Sequence, residues 1–151
     1  MLQVGDTAPE FTAIDQNGAE VTLTGLLADG PIVLFFYPKA MTTGCTKESC
    51  HFRDLGAEFA ELGAQRVGIS ADKVDKQAAF DQKHGLGYPL LSDPDRKVAA
   101  AFGVKRPGPI MNKRATFVIG TDRSVMAAIS SELNMDLHAD EALTVLRAAQ
   151  S

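Results

Sequence analysis

The chain has 151 residues, of which 45% are hydrophobic and 23% are charged. This length and composition are typical of one globular domain with a single core, so we expect one domain over residues 1–151. A formal net charge of −4 without a long basic run argues against nucleic acid or anionic lipid as a partner. The lack of a leader or of a ~20-residue apolar run predicts a cytoplasmic protein that does not bind membranes.

The first predicted elements are a hairpin and a buried strand. Apolar and polar residues alternate on both sides of the turn at residues 16–18 (QNG), which predicts an N-terminal β-hairpin. The unbroken apolar run at residues 31–38 (PIVLFFYP) predicts a central strand that is covered on both faces. From Cys45 onward, apolar residues at helical spacing predict one long helix that ends at Gly63; they are Phe52, Leu55, Phe59 and Leu62.

Strands and helices alternate through the middle of the chain. Residues 66–72 predict a strand, and residues 74–85 predict a helix that ends at Gly85. A short strand follows at residues 88–93. The next helix is predicted at residues 93–103, with Asp93 as its cap, Pro94 in its first turn and Gly103 after its end.

The last third of the chain begins with a loop that is rich in proline and glycine, residues 105–112. Residues 115–130 then predict two strands around a turn at residues 121–123, and residues 136–150 predict an amphipathic helix. The order of elements predicts an α/β fold in which helices flank both faces of a central mixed β-sheet.

Both cysteines of the chain, Cys45 and Cys50, lie at the start of the long predicted helix, directly after the central strand. The pair could be a redox couple, half of a metal site, a structural bridge, or two buried apolar side chains. Reactive groups of α/β sheets gather where strands end and helices begin. The unpaired N–H groups and the dipole of a first helical turn stabilise a thiolate, which is the nucleophilic form of cysteine. This position favours reactivity at Cys45.

The spacing of the two cysteines tests the structural bridge. In a regular helix, residues 45 and 50 have Cα atoms roughly 8 to 9 Å apart, from the rise and turn per residue. A disulfide requires a Cα separation of about 4.4 to 6.8 Å. The two thiols can therefore be joined only if the first turns unwind, which favours a redox switch. A zinc site is disfavoured, because none of the three histidines has a paired ligand spacing.

The segment YPKAMTTGCTKESC, residues 37–50, resembles the peroxidatic motif P-x-x-x-T-x-x-C of the peroxiredoxins. Pro38, Thr42 and Cys45 match this motif in type and spacing, and the C-x4-C spacing is similar to that of the bacterioferritin comigratory protein, or peroxiredoxin Q, branch. The opening VGDTAPEFT and the late hairpin KRATFVIGTDRSV extend the resemblance over nearly the whole chain. The resemblance implies a thioredoxin-like fold and a thiol peroxidase that needs no cofactor and no metal.

The resemblance also implies roles for individual residues. Cys45 would be the peroxidatic thiolate that becomes a sulfenic acid, and Cys50 the resolving thiol that forms a disulfide with it. Arg114 would stabilise the thiolate and the developing charge, and Glu48 would pair with that arginine. The peroxide would be held and shielded by the remaining residues of the motif: the hydroxyl of Thr42, the backbone N–H of Gly44 and the ring of Pro38.

The implied partners are a peroxide, either hydrogen peroxide or an organic hydroperoxide, and a thioredoxin-like dithiol that reduces the disulfide. A monomer or a weak homodimer is expected. The alternative from another functional class is a redox-sensing or chaperone-like module that the same disulfide switches. One departure from the branch concerns its usual DDTPGC, which is AMTTGC here. Met41 makes the mouth of the site more apolar, which would favour organic hydroperoxides.

Overall fold

The computed structural model describes residues 1–150 and contains seven strands. They are β1 (Thr12–Ile14), β2 (Glu20–Thr22), β3 (Ile32–Phe36), β4 (Gln65–Ser70), β5 (Leu90–Ser92), β6 (Ala115–Ile119) and β7 (Val125–Ser130). The strands form one sheet in the order β2–β1–β5–β4–β3–β6–β7. Strands β3, β4 and β5 are parallel to one another, and the remaining pairs are antiparallel. The predicted mixed sheet is confirmed.

Helices cover both faces of this sheet. They are α1 (Leu23–Leu27), α2 (Thr43–Asp54), α3 (Gly56–Glu61), α4 (Val74–His84), α5 (Lys97–Ala101) and α6 (Met135–Gln150). Buried side chains of α1 and α5 belong to the core on one face, and those of α2, α3, α4 and α6 belong to the core on the other. Within residues 1–150, no helix has the length and apolar character that a membrane crossing requires.

Strand β3 is the central strand that the apolar run predicted. Its side chains alternate between the two cores, because successive residues of a strand point to opposite faces. Leu34 lies in the core with α1 and α5, whereas Phe35 lies in the core with α2 and stacks on Phe52, with ring centroids 4.1 Å apart. This stack fixes α2 against the strand that precedes it, so the start of α2 lies at the carboxyl end of β3.

The N-terminal hairpin and most helix ends agree with the sequence pattern. Strands β1 and β2 pair around a turn in which Asp15 Oδ1 accepts hydrogen bonds from the backbone N–H groups of Asn17 and Ala19. Gly85 ends α4 in the left-handed conformation, with a φ of 56°. Glycine adopts this conformation with little conformational strain because it has no Cβ atom. The predicted hairpin and this helix end are confirmed.

The single helix predicted from Cys45 to Leu62 is wrong. Helix α2 begins earlier, at Thr43, and ends at Asp54; α3 begins at Gly56. At Leu55 the ψ angle is 16°, which interrupts the helical geometry while the apolar spacing continues across the break. Periodicity alone therefore did not reveal that the chain bends here.

Another helix boundary also differs from the prediction. Helix α5 begins at Lys97 and not at Asp93, because Arg96 has a left-handed φ of 59° that separates Pro94 from the helix. Asp93 still caps this helix, since its carboxylate accepts from the N–H groups of Val98 and Ala99 at 3.2 and 3.0 Å. Strand β6 begins at Ala115, as the sequence pattern predicted, so Arg114 immediately precedes the strand.

Candidate active site

Cys45 is the third residue of α2, and its side chain is 1% exposed. The first backbone bond of this helix runs from the Thr46 N–H to the Thr42 carbonyl at 2.9 Å. The N–H groups of the three residues before Thr46 therefore have no acceptor within the helix. Together with the helix dipole, these N–H groups make the surroundings of the Cys45 sulfur favourable for a negative charge.

The loop between β3 and α2 orients Thr42. Its hydroxyl does not cap the helix but donates to the Lys39 carbonyl at 2.8 Å, which leaves the hydroxyl oxygen free to accept a hydrogen bond. The Ala40 N–H donates to Asp72 Oδ2 at 2.7 Å, and this interaction ties the loop to the end of β4. Pro38 lies half-buried at the end of β3. The loop that carries the predicted residues is thus held at both ends.

Arg114 reaches Cys45 because of the register between β3 and β6. Phe36 pairs with Ala115, so Arg114 lies beside the carboxyl end of β3, where α2 begins. Its Nη2 lies 3.3 Å from Cys45 Sγ, and its Nη1 donates to Glu48 Oε1 at 2.7 Å. The Arg114 and Glu48 side chains are only 6% and 0% exposed. The structure therefore joins thiol, guanidinium and carboxylate in one buried group.

Burial and charge act against each other at this group. Burial raises the pKa of Glu48 to about 7, although the Arg114 guanidinium opposes the rise. Burial lowers the pKa of Arg114, but the negative charges of Glu48 and Cys45 outweigh it, so the net pKa is raised. The guanidinium stays charged at every relevant pH, while the Glu48 carboxyl changes its charge near neutrality.

Gly44 leaves little room above the helix start. A Cβ atom at this position would lie 3.2 Å from Met135 Cε and 3.4 Å from Arg114 Nη2. The tip of the Met135 side chain thus covers the backbone beside Cys45. Met41 lies four residues before the cysteine and is 38% exposed, with a left-handed φ of 68°. Met135 therefore lies over the helix start, and Met41 is an exposed apolar residue of the loop that leads into it.

Cys50 lies farther along α2, is half-buried, and is a free thiol like Cys45. Three bonds from other elements hold this half of the helix. Tyr88 Oη donates to the Ser49 carbonyl at 2.7 Å, Arg66 Nη1 donates to the Phe52 carbonyl at 2.9 Å, and His51 Nε2 lies 2.8 Å from Asp140 Oδ1. In the part of the chain that the structure describes, no three His, Cys, Asp or Glu side chains are grouped as a metal site would require.

Sequence reasoning missed His138 as a member of this group and considered it only as a zinc ligand. His138 is 0% exposed, and its Nδ1 lies 2.7 Å from Thr116 Oγ1 and 3.6 Å from Glu48 Oε2. The sequence did contain a signal for its burial, because its spacing of four residues from Ala142 places it on the buried face of α6. Asp72 was also missed, and no local pattern marked it.

Comparison with known proteins gives a consistent picture. The model of the AhpC/TSA family matches residues 4–128. A putative peroxiredoxin of Mycobacterium tuberculosis is 59% identical over 153 aligned positions, which cover 99% of each chain. The match extends over both cysteines and Arg114.

Two solved structures are also similar. The crystal structure of peroxidoxin BcpB from Mycobacterium tuberculosis is 57% identical, covers 100% of both chains and superposes with a TM-score of 0.97. A bacterioferritin comigratory protein of Xanthomonas campestris, whose structures are described as giving insight into its alkyl peroxide reduction activity, is 31% identical over 93% of this chain and 92% of its own, with a TM-score of 0.86. These neighbours confirm the predicted thioredoxin-like fold.

The raised pKa of Glu48 predicts a pH-dependent stability. A carboxyl whose folded pKa of about 7 exceeds its ordinary value of 4.5 favours folding while it is protonated, and this contribution is lost as the pH rises from about 4.5 to about 7. Glu48→Gln cannot ionise. As the pH rises over this range, the free energy of unfolding of the wild type should therefore fall relative to that of Glu48→Gln, by up to about 3 kcal/mol.

Urea denaturation at a series of pH values measures this difference. Glu141→Gln, at an exposed position on α6, is the matched control and should give a difference that does not vary with pH. A constant difference between Glu48→Gln and the wild type from pH 4.5 to 7 would contradict the assigned burial of the charge.

Proposed function

The chain belongs to the AhpC/TSA family of peroxiredoxins and is a peroxidase, and from this premise we propose that Cys45 is its peroxidatic thiolate. The observation that carries the proposal is the distance of 3.3 Å between Cys45 Sγ and Arg114 Nη2, at a helix start with free N–H groups. A thiolate is favoured there by a fixed positive charge and by oriented dipoles. The proposed enzyme reduces peroxides with its own side chains and without a cofactor.

In the first step, the Cys45 thiolate attacks the terminal oxygen of the peroxide. The S–O bond forms as the O–O bond breaks, the sulfur is oxidised to sulfenic acid, and the alkoxide leaves and takes up a proton as an alcohol, or as water from hydrogen peroxide. We assign the stabilisation of the developing negative charge to Arg114 Nη2 and the backbone N–H of Gly44, and the orientation of the peroxide to the Thr42 hydroxyl. Pro38 limits access of water.

In the second step, the Cys50 thiolate attacks the sulfur of the Cys45 sulfenic acid. An S–S bond forms, and the hydroxyl leaves as water after protonation. Both cysteines lie in the continuous helix α2 when they are reduced. Because a helix separates their Cα atoms by roughly 8 to 9 Å, part of α2 has to unwind before this bond forms.

The contacts of α2 favour unwinding at its N-terminal half. The half after Ser49 is held by Tyr88, Arg66 and the stacked ring of Phe52, whereas the first turn depends on Arg114. Oxidation converts the thiolate into a neutral sulfenic acid, which weakens its attraction to the guanidinium. The first chemical step therefore loosens the part of the helix that the second step has to unwind.

A thioredoxin-like dithiol completes the proposed cycle. It attacks the Cys45–Cys50 disulfide through a mixed disulfide and restores both thiols while it is itself oxidised. Continuous consumption of peroxide in the presence of the reductant distinguishes an enzyme from a redox sensor.

Replacing each cysteine should affect a different step. Cys45→Ser should abolish peroxide reduction, because no other described thiol lies beside both the Arg114 guanidinium and the free N–H groups at the start of α2. Cys50→Ser should still form the Cys45 sulfenic acid, which a dimedone-type probe detects, but should not be recycled by thioredoxin. Steady consumption of NADPH with thioredoxin and thioredoxin reductase measures turnover.

The wild type is the reference in the same coupled assay. Residual turnover of Cys45→Ser at the wild-type rate would refute Cys45 as the nucleophile, and full recycling of Cys50→Ser by thioredoxin would refute Cys50 as the resolving thiol. One oxidation per wild-type molecule without recycling would favour the sensor.

Weakening the helix between the cysteines should accelerate disulfide formation. Lys47 is exposed on α2 between Cys45 and Cys50, so its replacement changes helix propensity with little effect on packing. Lys47→Gly lowers helix stability by roughly 0.7 kcal/mol, which should increase the rate of the disulfide step about threefold if unwinding precedes it.

Lys47→Ala is the matched control, because it removes the same charge and keeps a good helix former. Stopped-flow measurement with one equivalent of peroxide resolves sulfenic acid formation from disulfide formation. Equal rates of the disulfide step in the two variants would show that unwinding of this helix does not limit it.

Met41 supports a preference for organic hydroperoxides. Its partly exposed side chain and the tip of Met135 give the entrance an apolar surface, to which the carbon chain of an organic hydroperoxide can bind. Hydrogen peroxide has no such group. The alkyl peroxide reduction activity described for the Xanthomonas protein is consistent with this proposal.

Met41→Asn should lower the preference for organic substrates. Asparagine tolerates the left-handed φ of this position, so the variant removes apolar surface without adding backbone strain. The ratio of kcat/KM for cumene hydroperoxide to kcat/KM for hydrogen peroxide should fall several-fold. Val4→Asn removes an exposed apolar side chain elsewhere and should leave the ratio unchanged. A wild-type ratio below one would refute the preference.

A further inference from the structure

His138 lies next to the Glu48 carboxyl, and its two ring nitrogens have different partners. Nε2 lies 2.8 Å from the Ser131 carbonyl oxygen, which can only accept. Nε2 therefore carries a hydrogen. In the neutral ring, Nδ1 is then an acceptor, and the Thr116 hydroxyl, 2.7 Å away, donates to it. These two bonds fix both the orientation and the tautomer of the ring.

The remaining neighbour of Nδ1 is Glu48 Oε2, at 3.6 Å. This carboxylate oxygen is completely buried and has no hydrogen-bond partner among the described residues, although the other oxygen of the same group binds Arg114. An unsatisfied buried oxygen is costly, and a shift of about 0.6 Å would bring it within hydrogen-bond distance of Nδ1. That bond requires a proton on one of the two atoms, and because Nδ1 has a single lone pair the Thr116 hydroxyl has to turn away when the bond forms.

We propose that His138 is a positioning residue of the peroxidatic site, and that it shares one proton with Glu48 and thereby sets how much of the Arg114 charge acts on Cys45. This proposal rests on the proposed role of Cys45. His138 does not touch the sulfur and acts only through Glu48 and Arg114. The proton lies either on Oε2, beside a neutral ring, or on Nδ1, beside a carboxylate.

The surroundings favour the proton on Glu48. Burial raises the pKa of Glu48 to about 7 and lowers the pKa of His138, which the nearby Arg114 charge lowers further, while the Ser131 carbonyl opposes the effect. With a neutral carboxyl, the Arg114 charge has only the Cys45 thiolate as a close counter-charge. Loss of the shared proton gives Arg114 a second anion and weakens its hold on the thiolate.

The charged groups around His138 come from three parts of the fold. Helix α2 contributes Glu48 and Cys45, the residue before β6 contributes Arg114, and the segment between β7 and α6 contributes Glu132. Glu132 favours a protonated ring, but it is already bound to the Arg114 N–H and to Arg106. The proposed response near neutral pH therefore comes from the shared proton.

Three variants separate a proton-holding role from a packing role. His138→Phe keeps a ring but has no acceptor, so the shared proton should be lost at a pH lower by about 1 unit or more. His138→Gln loses the ring but offers an amide oxygen near Nδ1 and an amide N–H for the Ser131 carbonyl, so it should restore most of the effect. Thr116→Val removes the competing donor to Nδ1 and should move the ionisation to higher pH.

The measurement is made in a Cys50→Ser background, so that only one cysteine titrates. Thiolate absorbance at 240 nm as a function of pH reports the charge on Cys45 without any peroxide. Single-turnover oxidation by peroxide at pH 6.5 reports reactivity. We expect His138→Phe to shift the thiolate titration to higher pH and to slow oxidation about three- to tenfold, which corresponds to roughly half to one pH unit.

Nitrogen-15 NMR of the histidine rings supplies a readout that packing would not change. The wild-type His138 should be a neutral Nε2–H tautomer at pH 8, and its Nδ1 shift should follow the Glu48 ionisation. His84→Gln, which replaces a histidine that packs on Phe80 in α4, is the control and should leave the titration unchanged.

The outcomes are decisive in either direction. Opposite shifts in His138→Phe and Thr116→Val, with His138→Gln close to the wild type, support the shared proton. An unchanged titration in Thr116→Val, or an effect that follows ring volume so that Phe preserves function and Gln does not, overturns it. If His138→Phe does not fold, Thr116→Val and the NMR shifts decide alone. Failure of peroxide turnover in the wild type would instead refute the proposed function.

Discussion

The buried guanidinium of Arg114 contacts the thiol of Cys45 through one nitrogen and the carboxylate of Glu48 through another, and the site depends on this arrangement. A buried positive charge without partners costs several kcal/mol, so α2 has to present both acceptors at the start of β6. The pairing of Phe36 with Ala115 provides this geometry, because it sets the residue before β6 beside the end of β3. The same charge therefore ties α2 to the residue before β6 and, in the proposed mechanism, prepares Cys45 as the nucleophile.

Helix α2 has two halves with different attachments. Its second half is fixed by the stack of Phe52 on Phe35 and by bonds from Tyr88 and Arg66 to helix carbonyls, whereas its first turn carries the charged contact of Cys45 with Arg114. Apolar packing does not respond to oxidation of the sulfur, but an attraction between charges does. This asymmetry supports the proposed remodelling of a few residues around Cys45 in a chain with a firmly packed core.

Local patterns predicted most of the fold because neighbouring residues govern them. The apolar run of β3 and the glycine that ends α4 have causes within a few residues, and both agree with the structure. The errors have distant causes. The Asp93-Pro94 pair predicted a helix start, but the Arg96 guanidinium binds the carbonyls of Arg106, Gly108 and Ile110, and its backbone turns away from the helix. The bend at Leu55 was missed because its apolar spacing is unbroken.

The sequence by itself determined the position of Cys45 at a helix start and the separation of the two cysteines along that helix. It also contained the motif that marked Thr42 and the late hairpin that marked Arg114 as candidates. Only the tertiary structure decided which charges meet. It brought Arg114 to a thiol 69 residues away, buried Glu48 so that its pKa rises to about 7, and placed His138 behind it. The physical reason is that helices and turns depend on the next few residues, whereas the charge of a group depends on burial and on neighbours that only folding supplies.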